Sequence, residues 1–489
     1  MIETPSVDWF ALSPVLALLG ASAVCLLAAV LVPRLLRRTV TAVVAGAGFV
    51  TAAVLAALVF DRSAEAQVQI AESMTRDRLA ALAQIVLAAA GALAVLVSWS
   101  GRRGPHVGEY YSLLAAAGGG MLFFVQAGNL MTLFLGLEWF SIALYVMCAL
   151  DPEREGSLEA SLKYLIVGSF GSTILLFGAA LTYGATGELG FDSIREAGAA
   201  DDPLFVAGLA MVLAGLAFKA SAAPFHMWTP DVYQGAPTPV TAFMAAATKA
   251  AALVVTLRVL TIAYPEQSEI WTVAVAAIAI ASLAVGNLAA LVQRDVKRML
   301  AYSSVSHAGF MLIAVAADSE LGAQALLYYL IPYAAMSIGA FAVVAARERE
   351  LNAPVTVERL AGFGWERPGY GAAMWVFMLG FAGFPLTGGF IGKFYVFAAA
   401  YESGWWWLVV IGVLATALSL YYYLGVVRSM YMRPASEELR AVAAGGSPPL
   451  DPPLALAVGA SVVVTIGSFV LAGPLLDLAQ EAAEVLPFA

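Results

Sequence analysis

The chain has 489 residues, of which 61% are hydrophobic and only 12% charged, against about 25% charged in a soluble domain. That balance excludes a soluble globular protein. The net charge of −9 carries no basic patch that would suit nucleic acid, and the two cysteines, Cys25 and Cys148, fall in apolar runs that indicate neither a disulfide framework nor a metal cluster.

Apolar runs long enough to cross a bilayer, at roughly 20 residues each, recur from end to end. Fourteen spans are expected, at 10–33, 39–60, 78–99, 110–127, 129–150, 159–184, 204–233, 237–263, 270–291, 298–316, 322–346, 371–400, 404–431 and 454–476. The first follows acidic Glu3 and Asp8 with no basic region, so it is expected to be retained and not cleaved as a signal. With the N-terminus outside, the inner connections collect sixteen Arg and Lys residues. The outer ones hold only Arg62, Arg76, Arg78 and Arg195. This positive-inside bias places both termini outside the cytoplasm. The longest polar connection, 433–453, carries Gly445, Gly446, Pro448 and Pro449 and reads as a flexible inner loop.

Two spans are too long for one straight helix. The seventh contains Lys219, Pro224 and Pro230; the twelfth contains Gly383, Pro385, Gly388, Gly389, Gly392 and Lys393. A broken helix exposes backbone groups that hydrocarbon cannot satisfy, so it is tolerated only inside protein or beside water. Paired breaks in corresponding places point to inverted repeats around a midplane ion site. Tyr164-Leu165-Ile166 recurs as Tyr329-Leu330-Ile331, and the same offset of 165 carries Gly215-x-Ala217 onto Gly380-x-Ala382. Under that offset Lys219 falls on Phe384 and Lys249 on Leu414. The halves are therefore expected to share a backbone plan but not a chemistry.

Of the five lysines, Lys163, Lys219, Lys249 and Lys393 lie within apolar stretches. At about 2.5–3.5 kcal/mol each, four lysines in mid-membrane would oppose insertion by about 10–14 kcal/mol. Lysine, unlike arginine, can give up its proton when desolvated, so a chain that keeps them is expected to move protons. Glu138 is the acid well inside a span. It can be a structural counter-charge or a carboxylate that tunes a neighbouring lysine, since a Glu–Lys pair in low dielectric perturbs both partners. Lys219 and Lys249 lie too deep to snorkel, and one acid cannot neutralise both. Lys163 sits roughly 7 Å into its span at 1.5 Å per residue, so snorkelling and a relay role both remain open. His307 shares its segment with Tyr302, Ser303, Ser304 and Ser306, which suits either a structural hydrogen-bonder or a relay. His226, at the first break, suits loop structure, and His106 in an inner connection carries no assignment. No Walker loop, CxxC pair or paired histidine for haem is present. Gly46-x-Gly48 lacks the third glycine of a dinucleotide site.

The stretch Pro224-Phe225-His226-Met227-Trp228-Thr229-Pro230-Asp231-Val232-Tyr233-Gln234-Gly235-Ala236-Pro237-Thr238-Pro239, with Ala247-Thr248-Lys249-Ala250 beyond it, resembles the signature of the antiporter-like membrane subunits of respiratory complex I, the NADH–quinone oxidoreductase. Leu137-Glu138-Trp139, Lys163-Tyr164, Gln293-Arg294-Asp295-Val296-Lys297-Arg298 and Gly389-Phe390-Ile391-Gly392-Lys393-Phe394 fit it too, and the resemblance covers nearly the whole chain. One member of that set typically has Glu where this chain has Lys393. Another has a long lateral C-terminal helix, whereas this chain ends soon after its fourteenth span.

The resemblance implies an all-α integral membrane fold of fourteen transmembrane helices with two inverted five-helix repeats, each containing a broken helix. Residues 1–109 would supply three N-terminal helices, 110–263 and 270–431 the repeats, and 432–489 an inner loop and the last helix. It implies a relay in which Glu138 pairs with Lys219, the central protonatable site. Lys249 and His307 link the axis, Lys393 serves the second half, and Lys163 completes the set. It also implies a proton-translocating subunit of the bacterial plasma membrane, coupled to electron transfer elsewhere. This chain would bind no cofactor, with NADH, FMN, iron–sulfur clusters and quinone in partner subunits, and would contact other antiporter-like subunits and the lipid bilayer, not nucleic acid. The alternative is a subunit of a multisubunit cation/proton antiporter.

Overall fold

The computed structural model describes residues 7–101, 106–199, 201–437, 439 and 451–488; Glu3, Arg102, Arg103 and most of the 433–453 connection lie outside them. Backbone groups in hydrocarbon must be satisfied within their own segment, and the apolar runs accordingly fold as helices. In order these are α1 (Trp9–Leu31), α2 (Arg34–Asp61), α3 (Arg78–Ser98), α4 (Val107–Val125), α5 (Leu130–Cys148), α6 (Glu155–Thr186), a short α7 (Phe191–Glu196) and α8 (Pro203–Lys219). Then follow α9 (Trp228–Gly235), α10 (Thr238–Phe243), α11 (Lys249–Ala263), α12 (Ser268–Leu291), α13 (Val296–Ala316) and α14 (Glu320–Leu351). The last are a short α15 (Phe363–Glu366), α16 (Pro368–Ala382), α17 (Gly388–Glu402), α18 (Trp406–Met432), α19 (Pro452–Val470) and α20 (Ala472–Ala483). Among the described residues eleven continuous helical stretches are long and apolar enough to cross a membrane.

Helix starts are set by short polar side chains. Asp8, Asp77, Asn129, Asp202, Asp295 and Ser319 each accept a backbone N–H of the first turn. Three details depart from the sequence reading. The connection before α3 forms an antiparallel ribbon, β1 (Gln67–Gln69) with β2 (Met74–Arg76). α6 and α14 each run to 32 residues, because their charged ends carry the helix past the apolar stretch. The last span stops at Val470; the chain then turns into α20, which buries Leu476, Ala479 and Ala482 on one face.

Burial is uneven, and that locates the core. Over their most apolar 18-residue stretches, Thr238–Ala263, Val296–Ala316 and Glu320–Leu351 are 100%, 94% and 94% buried, against 33% for α18. Polar groups on those three central spans are therefore shielded from lipid.

Both anticipated interruptions are present. α8 stops at Lys219, and residues 220–227 are not helical before α9 begins at Trp228. α16 stops at Ala382, with Gly383 in the left-handed conformation at φ +76°, and α17 starts at Gly388. A β-carbon at Gly389 would come within 2.0 Å of the Gly380 carbonyl oxygen, a backbone atom that cannot step aside. Gly389→Ala is expected to cost roughly 1–3 kcal/mol by overpacking and to lower the thermal midpoint of the assembled protein. Gly459→Ala, where a β-carbon meets nothing within 4 Å, should cost nothing by the same measurement.

Candidate functional site

Buried polar side chains gather at the two breaks and on the central spans. Lys219 is the last residue of α8 and is 1% exposed. Its ammonium donates to Ser141 Oγ at 2.7 Å and Tyr164 OH at 3.2 Å, and it lies 4.5 Å from the Phe140 ring centroid. Ser141 in turn donates to the Leu137 carbonyl. Tyr164 is held by stacking on Trp228, whose indole N–H caps the freed Phe218 carbonyl of the broken helix at 3.1 Å. The break thus places both the lysine and the aromatic wall behind it.

Glu138 lies three residues before Ser141 on α5, yet it makes no ion pair with Lys219 among the described residues. A direct ion pair between them, as the resemblance implies, is not among the described contacts. Glu138 shares its side of α5 with Leu135 and Ile142, which are 52% and 57% exposed, whereas Ser141 points inward. One carboxylate oxygen of Glu138 is buried without a hydrogen-bond partner. The half-buried carboxylate can act on Lys219 through the field across the Ser141 turn of α5.

Lys249 follows a single π-helical turn, Met244–Thr248, every residue of which is buried. Such turns shift the register of a helix and occur often at functional sites. The Lys249 ammonium donates to the Ser304 carbonyl at 2.6 Å and to Ser304 Oγ at 3.0 Å, with no carboxylate beside it among the described residues. Ser304 belongs to α13, and His307 is its neighbour three residues on, on the same side of that helix. His307 Nδ1 lies 2.9 Å from Tyr329 OH and Nε2 3.1 Å from Tyr423 OH, while Tyr423 also hydrogen-bonds Ser303. A neutral imidazole donates from one nitrogen and accepts at the other, so this ring can pass a proton between two phenols. Asn287 joins the cluster from the side, donating to Ser306 and accepting from Tyr422.

Lys393 sits in α17 and reaches back across the second break. Its ammonium donates to the carbonyls of Phe381 at 2.9 Å and Ala382 at 3.3 Å, the freed C-terminal carbonyls of α16. It also lies 4.3 Å from the Phe310 ring centroid. The negative end of a half-helix dipole holds a cation here. The Phe381 and Phe310 rings lie 5.1 and 6.1 Å from that of His307.

Lys163 is placed differently. Its side chain is 43% exposed and ion-paired with Glu159 at 2.7 Å and Asp231 at 2.8 Å. Asp231 is shared with Arg298 at 2.5 Å. These groups face an open cavity of about 350 Å³, which Lys297 and Glu348 also line. Lys163 thus stands at a water-facing mouth, one residue from Tyr164. His226 lies in the first break with Nδ1 buried and unpartnered. His106 is an exposed partner of Glu109 at 3.5 Å.

Sequence reasoning missed two buried cations. Lys297, counted there as a connection residue, is 2% exposed and donates to the Ala236 carbonyl at 2.7 Å, with Glu348 at 3.9 Å. The available signal was Asp295, whose capping role puts Lys297 inside the first turn of α13. Arg258 is buried in α11 and paired with Asp77; an arginine inside an otherwise apolar span was the signal. Among the described residues no group of three His, Cys, Asp or Glu could hold a metal ion.

Comparison with known proteins gives a consistent answer. Residues 127–419 match the family model described as NADH:quinone oxidoreductase/Mrp antiporter, TM. NADH-quinone oxidoreductase subunit N 2 of Roseiflexus castenholzii is 38% identical over 497 residues, covering 98% of this chain and 97% of that one. Subunit N of Mycobacterium tuberculosis (strain H37Rv) is 41% identical, covering 96% and 91%. Among solved structures, a chain of respiratory complex I from Thermus thermophilus, with bound aureothin, is 34% identical with a TM-score of 0.80, covering 96% of this chain and 99% of that one. A chain of the Mrp complex from Dietzia sp. shares the fold at a TM-score of 0.82 and 22% identity, covering 98% of each chain.

Proposed function

We propose a proton path for this chain, which belongs to the NADH:quinone oxidoreductase/Mrp antiporter family of transmembrane subunits and, within it, with the subunit N proteins of bacterial complex I. The chain is a proton-translocating membrane subunit of that oxidoreductase, working among other membrane subunits. Electron transfer, with NADH, FMN, iron–sulfur clusters and quinone, is assigned to partner subunits. Eleven continuous spans, α4 and the two interrupted helices make fourteen crossings, and the two breaks mark inverted repeats over 110–263 and 270–431. The arginine-rich ends face the cytoplasm, with both termini outside.

The path runs along the row of buried groups. A change of charge beside Glu138 alters the field at Lys219, which bonds Ser141 one turn along α5 from that carboxylate. Lys219 releases its proton past Ser141 and Tyr164 towards Lys249. Ser304 carries it to His307, where Tyr329 and Tyr423 wait on either side. Lys393, held at the end of α16, delivers it from the second half. Lys163, paired with Asp231, meets water at the cavity mouth and feeds the first half. The hydroxyls of Ser221 and Thr229 are buried without hydrogen-bond partners. Buried polar groups of this kind call for internal water, which suits a conducting row and not a dry core.

The observation that carries this reading is Lys249 on Ser304 with His307 three residues further along α13. It joins the two halves through one helix. Lys249→Met, measured in the assembled complex, is expected to lower quinone reductase turnover by about tenfold or more. Unchanged turnover with an unchanged proton-to-electron ratio would remove Lys249 from the path.

A further inference from the structure

Away from the buried row, the surface between α12 and α18 opens into a groove of about 550 Å³. Leu291, Tyr421, Leu424 and Gly425 line its length, and Arg428 and Arg433 stand at its end. Tyr421 is 73% exposed and Leu424 45%, so the walls present apolar surface outward at the depth of the last turns of a spanning helix. Both arginines are exposed, and among the described residues neither has an ion pair or a side-chain hydrogen bond. Glu358 lines the same end, but two cations against one acid leave a positive surplus, and exposed Arg294 lies just beyond Gln293 on the same rim.

We propose that this groove holds an anionic phospholipid, its phosphate on Arg428 and Arg433 and an acyl chain along Tyr421, Leu424 and Gly425. The vertical spacing fits such a ligand. At 1.5 Å per residue, Arg428 lies roughly 6 Å and Arg433 roughly 13 Å beyond Leu424 along the α18 axis, the rise from acyl chain to headgroup. A guanidinium fork matches phosphate oxygens bidentately. Basic pockets between spans at the cytoplasmic surface are a recurring headgroup site. A soluble anion would use the arginines but not the apolar walls, and a zwitterionic lipid would not draw on the surplus charge.

The test uses the assembled complex in phosphatidylcholine nanodiscs, titrated with spin-labelled phosphatidylglycerol. The wild-type complex is expected to hold an immobilised lipid component that Arg428→Gln/Arg433→Gln weakens roughly 30-fold, from about 1 kcal/mol per arginine. Gly425→Phe supplies an independent arm. A β-carbon at Gly425 meets nothing within 4 Å, so the ring can fill the groove without disturbing α18 and with both arginines intact. Loss of the immobilised component in both variants supports the site. Loss in the arginine variant alone would reduce the site to a phosphate-binding rim and overturn the lipid assignment. Wild-type binding in both variants, equal immobilisation of labelled phosphatidylcholine, or a neighbouring subunit's helix seated in the groove in a map of the whole complex would also overturn it.

Discussion

Asp77→Ala is expected to destabilise the subunit by about 3–5 kcal/mol and to deplete the assembled complex in membranes. Arg258 and Asp77 are 1% and 2% exposed, and their bond is bidentate: Nη1 donates to Oδ2 at 2.6 Å and Nη2 to Oδ1 at 2.7 Å. Arg258 cannot shed its charge, so removing the acid strands a cation in the core. Asp77 also caps α3, accepting from Ala80 N–H at 2.7 Å, which adds to the loss. Replacing both partners separates the two effects. Asp77→Ser/Arg258→Leu keeps a cap, buries no charge and is expected to recover most of the assembly, since apolar replacement of a buried pair is often near neutral. Burial alone would push the Asp77 carboxyl up, but the Arg258 charge and hydrogen bonds hold it below the usual carboxylate range. A depressed acid contributes stability above its unfolded pKa of about 3.9 and loses it as pH falls through the folded value. The contribution of Asp77 should therefore be complete at neutral pH and fade only in acid. An Asp77→Ala complex with wild-type abundance and melting would contradict this.

Lys219→Arg should be nearly as damaging as loss of the side chain, with turnover falling by about tenfold or more. Arginine keeps a positive charge near Glu138 and can still bond Ser141 and Tyr164. It cannot release a proton in a protein. A lysine needed only as a fixed cation would tolerate the change, whereas a lysine that must empty and refill would not. Turnover with coupled proton uptake, normalised to assembled complex, distinguishes the two. Near-normal activity in Lys219→Arg would make Lys219 a structural partner of Ser141 and Tyr164.

How much of this was legible in the chain follows from what hydropathy and spacing encode. Depth along the membrane normal is written in one dimension, so the spans, the break at Pro224, the break near Gly383 and the depth of Lys219, Lys249 and Lys393 could be read. Rotation about a helix axis is not. Glu138 was expected to pair with Lys219, and it sits half-buried one turn from Ser141, the serine that Lys219 bonds. The offset of 165 set Lys219 against Phe384 and suggested that the halves differ in chemistry. In space both lysines sit at the C-terminal end of a broken helix, Lys219 from within α8 and Lys393 by reaching back from α17. Side-chain reach is invisible to a linear offset. Arg258 escaped notice because its partner lies far away in sequence, in the β2–α3 connection. Lys297 escaped because the hydrophilic run around it reads as a loop, although Asp295 starts a helix there. Tyr164 and Tyr329, matched only as a repeat in sequence, turn out to carry hydroxyls that touch Lys219 and His307.

The most direct measurement follows NADH–quinone turnover and proton uptake together, in sealed vesicles, for Lys219→Ala in the assembled complex. Loss of pumping together with turnover, with assembly intact, is the result expected if Lys219 lies on an obligatory coupled path. Normal turnover with a normal proton-to-electron ratio would contradict it and leave the buried row a structural network.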